Sequence, residues 1–288
     1  MRELNYELKQ MCERNRDGSF ATQAARERIL SQLATQLHQL GFKHLSADSL
    51  RPKHIEALVA HWQAENLSSG TIKNRMSELR WWAQKVGKEN VVAKGNDHYG
   101  IDKRAYVTNV SKSRTLISTA LQLVTDPYSA MSLRLQEQFG LRREESIKIR
   151  PRQADKEGHL ALQASWTKGG RARDVPILTQ EQRVVLNEAK EFATKGSLIP
   201  ADLMYVNQLK RFEYQCGKAG IDHVHGLRHL YAQRRYLDIT GRHCPAAGGL
   251  CSKQLTPEQK RLDREARLRI SLELGHEREQ ITAVYLGR

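Results

Sequence analysis

Apolar residues recur at three- and four-residue spacing through much of this chain, which predicts a largely helical protein. The stretch "RERILSQLATQLHQLGF" puts Ile29, Leu33, Leu37 and Leu40 on one stripe and meets a stop at Gly41. In "RPKHIEALVAHW", Ile55, Leu58, Val59 and Trp62 fall at helical spacing, with Pro52 suited to a first turn. A third helix is predicted in "LSSGTIKNRMSELRWWAQKVGK", ending at Gly87. Its inner face would be Ile72, Met76, Leu79 and Val86, and its outer face Lys73, Arg75, Arg80 and Lys85. Periodicity then fades through "VVAKGNDHYGIDKRAYVTNVSK", which reads as a linker.

Helical text resumes and runs to about Ile149. A strand pair follows: Leu160, Leu162, Ala164 and Trp166 alternate in "HLALQASW", "KGG" turns, and "ARDVPIL" returns. Glycines reach positive φ cheaply, which suits such a turn. Further helices are predicted over roughly 179–195, 201–219, 226–239 and 257–274. The expected class is mainly α with a small antiparallel sheet (α+β). The expected organisation is a helical module at 1–95, a linker at 96–112, and a mostly helical domain at 113–288.

Charge sharpens the picture. The chain of 288 residues carries a formal net charge of +15, and an excess of this size draws in polyanions. Residues 1–100 hold 15 Lys and Arg against 11 Asp and Glu, so most of the excess lies in the second part. Charge alone fits nucleic acid, ribosomal or membrane-surface roles. No apolar run is long enough to suggest a membrane span, and "MRELNYELKQ" lacks a secretory core, so a cytoplasmic setting is expected. Cys12, Cys216, Cys244 and Cys251 are scattered without a CxxC pair, which fits a reducing compartment better than a disulfide framework.

The densest chemistry is "HGLRHLYAQRRY", where His225 and Arg228 share a helical face. Together with "GLRREES" (Arg142, Glu145), "WTKGGR" (Lys168), "LGHE" (His276) and "VYLGR" (Tyr285), it resembles, in order, the motifs of the tyrosine recombinases, the phage-type integrases. The resemblance covers the whole second half, and the amino-terminal helices look more loosely like that family's helical, SAM-like core-binding module.

The resemblance implies a site-specific recombinase or integrase that cuts and rejoins DNA through a 3′-phosphotyrosyl intermediate, for integration or excision of a mobile element. Arg142 and Arg228 would hold the non-bridging oxygens, which suits planar guanidiniums that donate paired hydrogen bonds. Tyr285 would be the nucleophile, since a phenol ionises and leaves more readily than an alcohol. Lys168 would be the general acid, His225 would assist proton transfer, His276 would hydrogen-bond the phosphate, and Glu145 would support the histidines. Lys73, Arg75, Arg80 and Lys85 would contact DNA phosphates. No cofactor and no metal is implied, because the phosphotyrosyl bond conserves the diester's energy.

The implied partner is double-stranded DNA bearing inverted core sites, bound by a homotetramer that is a monomer or weak oligomer when free. Accessory DNA-bending or directionality factors are compatible with this, and no membrane is involved. A type IB topoisomerase-like enzyme and a non-enzymatic DNA-binding accessory protein remain as alternatives. Two features depart from the family pattern. The interval from Arg228 to His276 is long, which predicts a solvent-exposed insertion around 240–262; its His243, Cys244 and Cys251 lack the paired spacing of a zinc site. Only three residues follow Tyr285, where relatives carry a further helix, so the chain either uses another subunit contact or is truncated. The short amino end predicts no separate arm-site domain.

Overall fold

The computed structural model describes residues 2–276 and 278–288. Two compact units divide between Ala105 and Tyr106. The fold is mostly helical with one small antiparallel sheet. Among the described residues, no helix is long and apolar enough to cross a membrane.

The first unit contains α1 (Glu3–Arg14), α2 (Phe20–Gln39), α3 (Pro52–Ala64) and α4 (Ser69–Lys85). Ser19 and Ser68 start α2 and α4 by accepting from the Thr22 and Thr71 N–H groups, which supplies partners for otherwise orphan donors. The α2 stripe is centred one residue later than expected. Leu30, Leu33, Ala34 and Leu37 are buried, whereas Ile29 is half-buried and Leu40 exposed. On α3, Ile55, Leu58, Val59 and Trp62 are all buried, and Pro52 is at the first turn.

Helix α4 buries more than its aliphatic stripe predicts. Trp82 and Ala83 are fully buried alongside Ile72, Met76 and Leu79. The indole N–H groups of Trp62 and Trp82 reach Gln36 Oε1 at 3.0 Å and Ala47 O at 2.9 Å, so both rings enter the core without an orphan donor.

The expected outer face of α4 needs correction. Arg75 is buried, its guanidinium 5.3 Å from the Trp62 ring centroid. Arg80 is half-buried and holds Ala93 O and Asn96 Oδ1, both contacts pinning the chain beyond the helix. Lys85 is ion-paired with Asp17 at 2.9 Å, leaving Lys73 as the simple, half-exposed case. The segment expected as linker is also partly structured, because Val92 and Ile101 pack into the first core.

The second unit contains α5 (Ser118–Gln122), α6 (Pro127–Phe139), α7 (Arg143–Lys148), α8 (Pro151–Ala154), β1 (His159–Leu162) and β2 (Arg173–Pro176). It continues with α9 (Gln180–Ala193), α10 (Tyr205–Lys218), α11 (Gly226–Thr240), α12 (Pro257–Glu273) and α13 (Glu279–Leu286). The strands pair antiparallel, from His159 opposite Pro176 to Leu162 opposite Arg173. The ladder is shorter than expected: Ala164–Trp166 forms a 3-10 turn rather than continuing β1. The tip still folds over "KGG", where Gly170 N donates to Thr167 O at 3.2 Å.

The main core of this unit joins Leu135 and Phe139 of α6, Leu160 and Val175 of the sheet, Leu186 of α9, Tyr236 of α11, Ile270 of α12 and Tyr285 of α13. The segment expected as a solvent-exposed insertion is mixed: His243, Leu250, Lys253 and Gln254 are exposed, while Cys244, Pro245, Ala246 and Leu255 are buried. Cys244 and Ala246 belong to this core, and α12 crosses both α11 and α13. The Cys244 and Ala246 side chains have been drawn inward, which explains why burial wins over exposure at those positions. His243 is exposed while Cys244 is buried, and no group of three metal-type ligands exists among the described residues.

Replacing Trp82 by Ala should cost about 3–5 kcal/mol through lost burial and a residual cavity. Denaturant unfolding measures this, and a loss below about 1 kcal/mol would contradict the packing described.

Candidate active site

Five elements of the second unit converge on one pocket. Glu145 lies in the first turn of α7 and reaches back to accept from the Arg142 N–H at 2.7 Å, which fixes the start of that helix. Its carboxylate also accepts from Arg142 Nη1 at 2.8 Å and from both ends of Arg173, at 2.8 and 2.6 Å. Glu145 has no exposed surface, so burial alone would raise its carboxyl. The hydrogen bonds and charge of Arg173, the Arg228 charge and the Arg142 N–H outweigh burial and hold it at about 2.

The carboxyl end of α12 supplies the opposite wall. Glu273 O accepts from Arg173 Nε at 2.9 Å, and Leu274 O accepts from Arg142 Nη2 at 3.4 Å and from Arg228 Nη2. Terminal helix carbonyls carry partial negative charge and lack partners within the helix, so cations suit this end. The Glu273 side chain meanwhile binds α11, taking Arg235 in two hydrogen bonds and the Tyr231 hydroxyl at 2.8 Å.

Arg228 sits in the first turn of α11, only 1 % exposed. Nη1 donates to Gly140 O, and Nε donates to the Tyr285 hydroxyl at 3.3 Å. Gly140 is required here. Its φ is +59°, and a Cβ would come within 2.6 Å of the Tyr231 ring. Burial lowers the Arg228 pKa, yet a guanidinium remains charged at neutral pH.

Tyr285 is 5 % exposed, and its hydroxyl lies 3.5 Å from His225 Nε2 and 3.5 Å from His276 Nε2. Gln233 Nε2 fixes its backbone by donating to Tyr285 O at 3.1 Å. The residues beyond it are docked within the same chain: Arg267 donates to Gly287 O at 2.8 Å, and Asn109 pairs with Arg288 through two hydrogen bonds.

Burial and then the neighbouring Arg228 and Arg142 charges push His276 down to about 4 and lower His225 as well. Both imidazoles are therefore neutral at pH 7. Such a site offers fixed cations for an anion, a phenol beside them, and two imidazoles within reach of its proton.

Arg142, Glu145, His225, Arg228, His276 and Tyr285 are thus brought together. Lys168 is not: it stands exposed at the tip of the hairpin, with no hydrogen bond or ion pair among the described residues. Sequence reasoning missed Arg173, Glu273 and His229. Arg173 had a readable signal, a charged residue in a strand opposite the inward-facing Leu162. His229 packs its ring 4.6 Å from that of Tyr285, and helical spacing alone gave no sign of that contact.

Comparison with known families matches residues 1–92 to the phage integrase N-terminal family and residues 102–234 to the integrase family. A search of curated proteins finds no match. Among solved structures, the Tn1549 transposon integrase bound to circular-intermediate DNA is similar in fold. Its TM-score is 0.55 at 14% identity, covering 100% of this chain and 96% of that one. XerH recombinase bound to a palindromic difH substrate gives 0.61 and 14%, covering 99% and 81%. A lambda integrase tetramer bound to a Holliday junction gives 0.59 and 15%, covering 99% and 78%.

Acid should destabilise the fold in two stages. His229 and His276, ordinarily near 6.5 but about 4 here, stay neutral in the fold, so stability falls as pH drops from 6.5 toward 4. Glu145 then withdraws its contribution between 4.5 and about 2. Thermal unfolding across pH should show the first decline flattened in His276→Gln; an identical curve would contradict the assignment.

Proposed function

The chain belongs to the phage integrase family of tyrosine recombinases, site-specific enzymes that cut and rejoin DNA, and we propose that Tyr285 is its nucleophile and Arg142 and Arg228 its phosphate clamp. The observation that carries this reading is the contact of the Tyr285 hydroxyl with Arg228 Nε at 3.3 Å, which joins nucleophile and cation in one chain.

In the first step the phenolic oxygen forms a bond to phosphorus while the bond from phosphorus to the DNA 5′-oxygen breaks. His225 Nε2, 3.5 Å from the phenol, takes the proton. Lys168, brought in when its loop meets DNA, gives a proton to the departing 5′-oxygen. Charge gathering on the two non-bridging oxygens is met by Arg142 and Arg228, with His276 as a further hydrogen-bonding group. Rejoining reverses the sequence: a DNA 5′-hydroxyl attacks the phosphotyrosine, and phenol leaves. Bond energy is conserved, so no cofactor is consumed.

In this structure the Tyr285 hydroxyl takes Arg228 Nε, while Nη1 and Nη2 face the carbonyls of Gly140 and Leu274, so the Tyr285 contact is the one a phosphate oxygen would replace. DNA binding therefore exchanges one Arg228 contact for another, with Tyr285 moving to an in-line position. Arg173 enters as a positioning residue, because it neutralises Glu145 and ties β2 to α12.

The substrate is double-stranded DNA with inverted core sites, and the active assembly is a tetramer formed on that DNA from protomers that are monomers or weak oligomers when free. The tetrameric lambda integrase complex of similar fold supports this reading. Accessory bending or directionality factors and a cytoplasmic setting complete it. Lys73 is the simplest DNA-phosphate contact of α4. Arg75, Arg80 and Lys85 contribute chiefly by holding the first unit together.

Tyr285→Phe should retain DNA binding and form no covalent adduct on a nicked duplex carrying the attachment sequence, read on a denaturing gel. An adduct in that variant would contradict the nucleophile assignment. Arg228→Lys should slow adduct formation by about 10²–10³-fold, the scale for losing a preorganised donor to a developing oxyanion. A rate within twofold of wild type would remove Arg228 from the clamp.

A further inference from the structure

Behind His225 lies a cavity of about 330 Å³ that the mechanism above does not use. Its wall is a strap of chain, Ser111 to Arg114, lying across the first turn of α11. Arg114 N donates to Gly226 O at 3.0 Å, and Ser111 Oγ donates to Gln233 Oε1 at 3.0 Å. The approach is so close that a Cβ on Gly226 would fall 2.4 Å from Arg114 Cγ and 2.7 Å from Lys112 O. Glycine is the residue that lets the strap seat there.

The strap delivers two cations. Lys112 and Arg114 line the cavity with His223, His225 and His229, and no carboxylate lines it. Neither Lys112 nor Arg114 forms an ion pair among the described residues, and both are exposed. By contrast, Arg173, Arg235 and Arg267 of the same unit are each held by an acid. Asp222 lies 3.7 Å from His223, but Lys112 and Arg114 have no acidic partner among the described residues, an arrangement that suits an external anion.

A second observation comes from the cavity floor. His229 is 4 % exposed, and its Nδ1 has no hydrogen-bond partner. A buried ring nitrogen left unpaired costs free energy, and such groups in folded proteins are regularly completed by water or by a ligand. Its ring also touches the two groups nearest the chemistry, with centroids 5.6 Å from His225 and 4.6 Å from Tyr285. An anion in this cavity therefore sits one imidazole away from the nucleophile.

We propose that this cavity is a second phosphate subsite, holding the phosphodiester that neighbours the scissile one, with Lys112 and Arg114 as its cations and His229 completing it directly or through a held water. The inference rests on the DNA-cleaving reading above and adds to it a specific contact. By fixing the adjoining phosphate, the subsite sets the register of the strand against Tyr285 and uses the His229 ring to link strand seating to phenol position.

The test measures binding of the full chain to a duplex of about 30 base pairs of arbitrary sequence, by fluorescence anisotropy over a series of salt concentrations. Each phosphate neutralised contributes about 0.9 to the slope of log K against log salt. Lys112→Ala/Arg114→Ala should make the slope shallower by about 1, whereas Lys195→Ala, at an exposed residue remote in sequence from the site, should leave it unchanged. A double variant with the wild-type slope, or an equal change in Lys195→Ala, would overturn the subsite while leaving DNA binding intact. A wild-type chain whose binding ignores salt would overturn the functional reading and the subsite together. Inorganic phosphate at millimolar concentration is the second probe. It should shift the His229 imidazole resonances of wild type and not those of the double variant; equal shifts in both would also overturn the assignment.

Discussion

Three guanidiniums in one largely buried pocket repel one another, and the second unit is organised around making that tolerable. Glu145 supplies the one full negative charge, and the last carbonyls of α12 supply partial ones to Arg142, Arg173 and Arg228. Burying unpaired charge is costly, and removing one member of such a cluster strands the others. The same arrangement leaves a net positive charge, because three cations outweigh one carboxylate. A phosphodiester can therefore complete the balance without bringing the cations into place.

This constraint explains features that look unrelated along the chain. Gly140 must lack a side chain so that its carbonyl can meet Arg228 beneath Tyr231. Glu273 serves twice, its carboxylate clamping α11 and its carbonyl receiving Arg173. The segment between α11 and α12 is a structural part of the core, since Pro245 and Ala246 pack against Gly287 beside the nucleophile's helix. The final residues are held by Arg267 and Asn109, so Tyr285 is approached from both sides of its own backbone.

Much of this was legible in the sequence, for identifiable reasons. Helix α3 announced itself through its apolar spacing and Pro52, and α9, α11 and α12 fall close to the ranges expected for them. The site motifs could be read because "HGLRH" and "LGH" pair chemically distinctive residues at fixed short distances. What escaped were contacts between segments distant in sequence. Arg75 looked like a surface cation because helical spacing sets a face but does not reveal that Trp62 waits opposite it. Cys244 looked solvent-exposed because the long interval after Arg228 hid a return to the core. Arg173 pairs across 28 positions with Glu145, a partnership that neither local pattern discloses.

The central claim is that one phenol, Tyr285, meets paired guanidiniums at a single phosphorus atom. It is tested most directly by digesting the trapped protein–DNA complex and locating the nucleotide-bearing residue by peptide mass spectrometry. The account predicts a 3′-phosphonucleotide on Tyr285 alone, within the peptide that ends the chain. A nucleotide on any other side chain would contradict it.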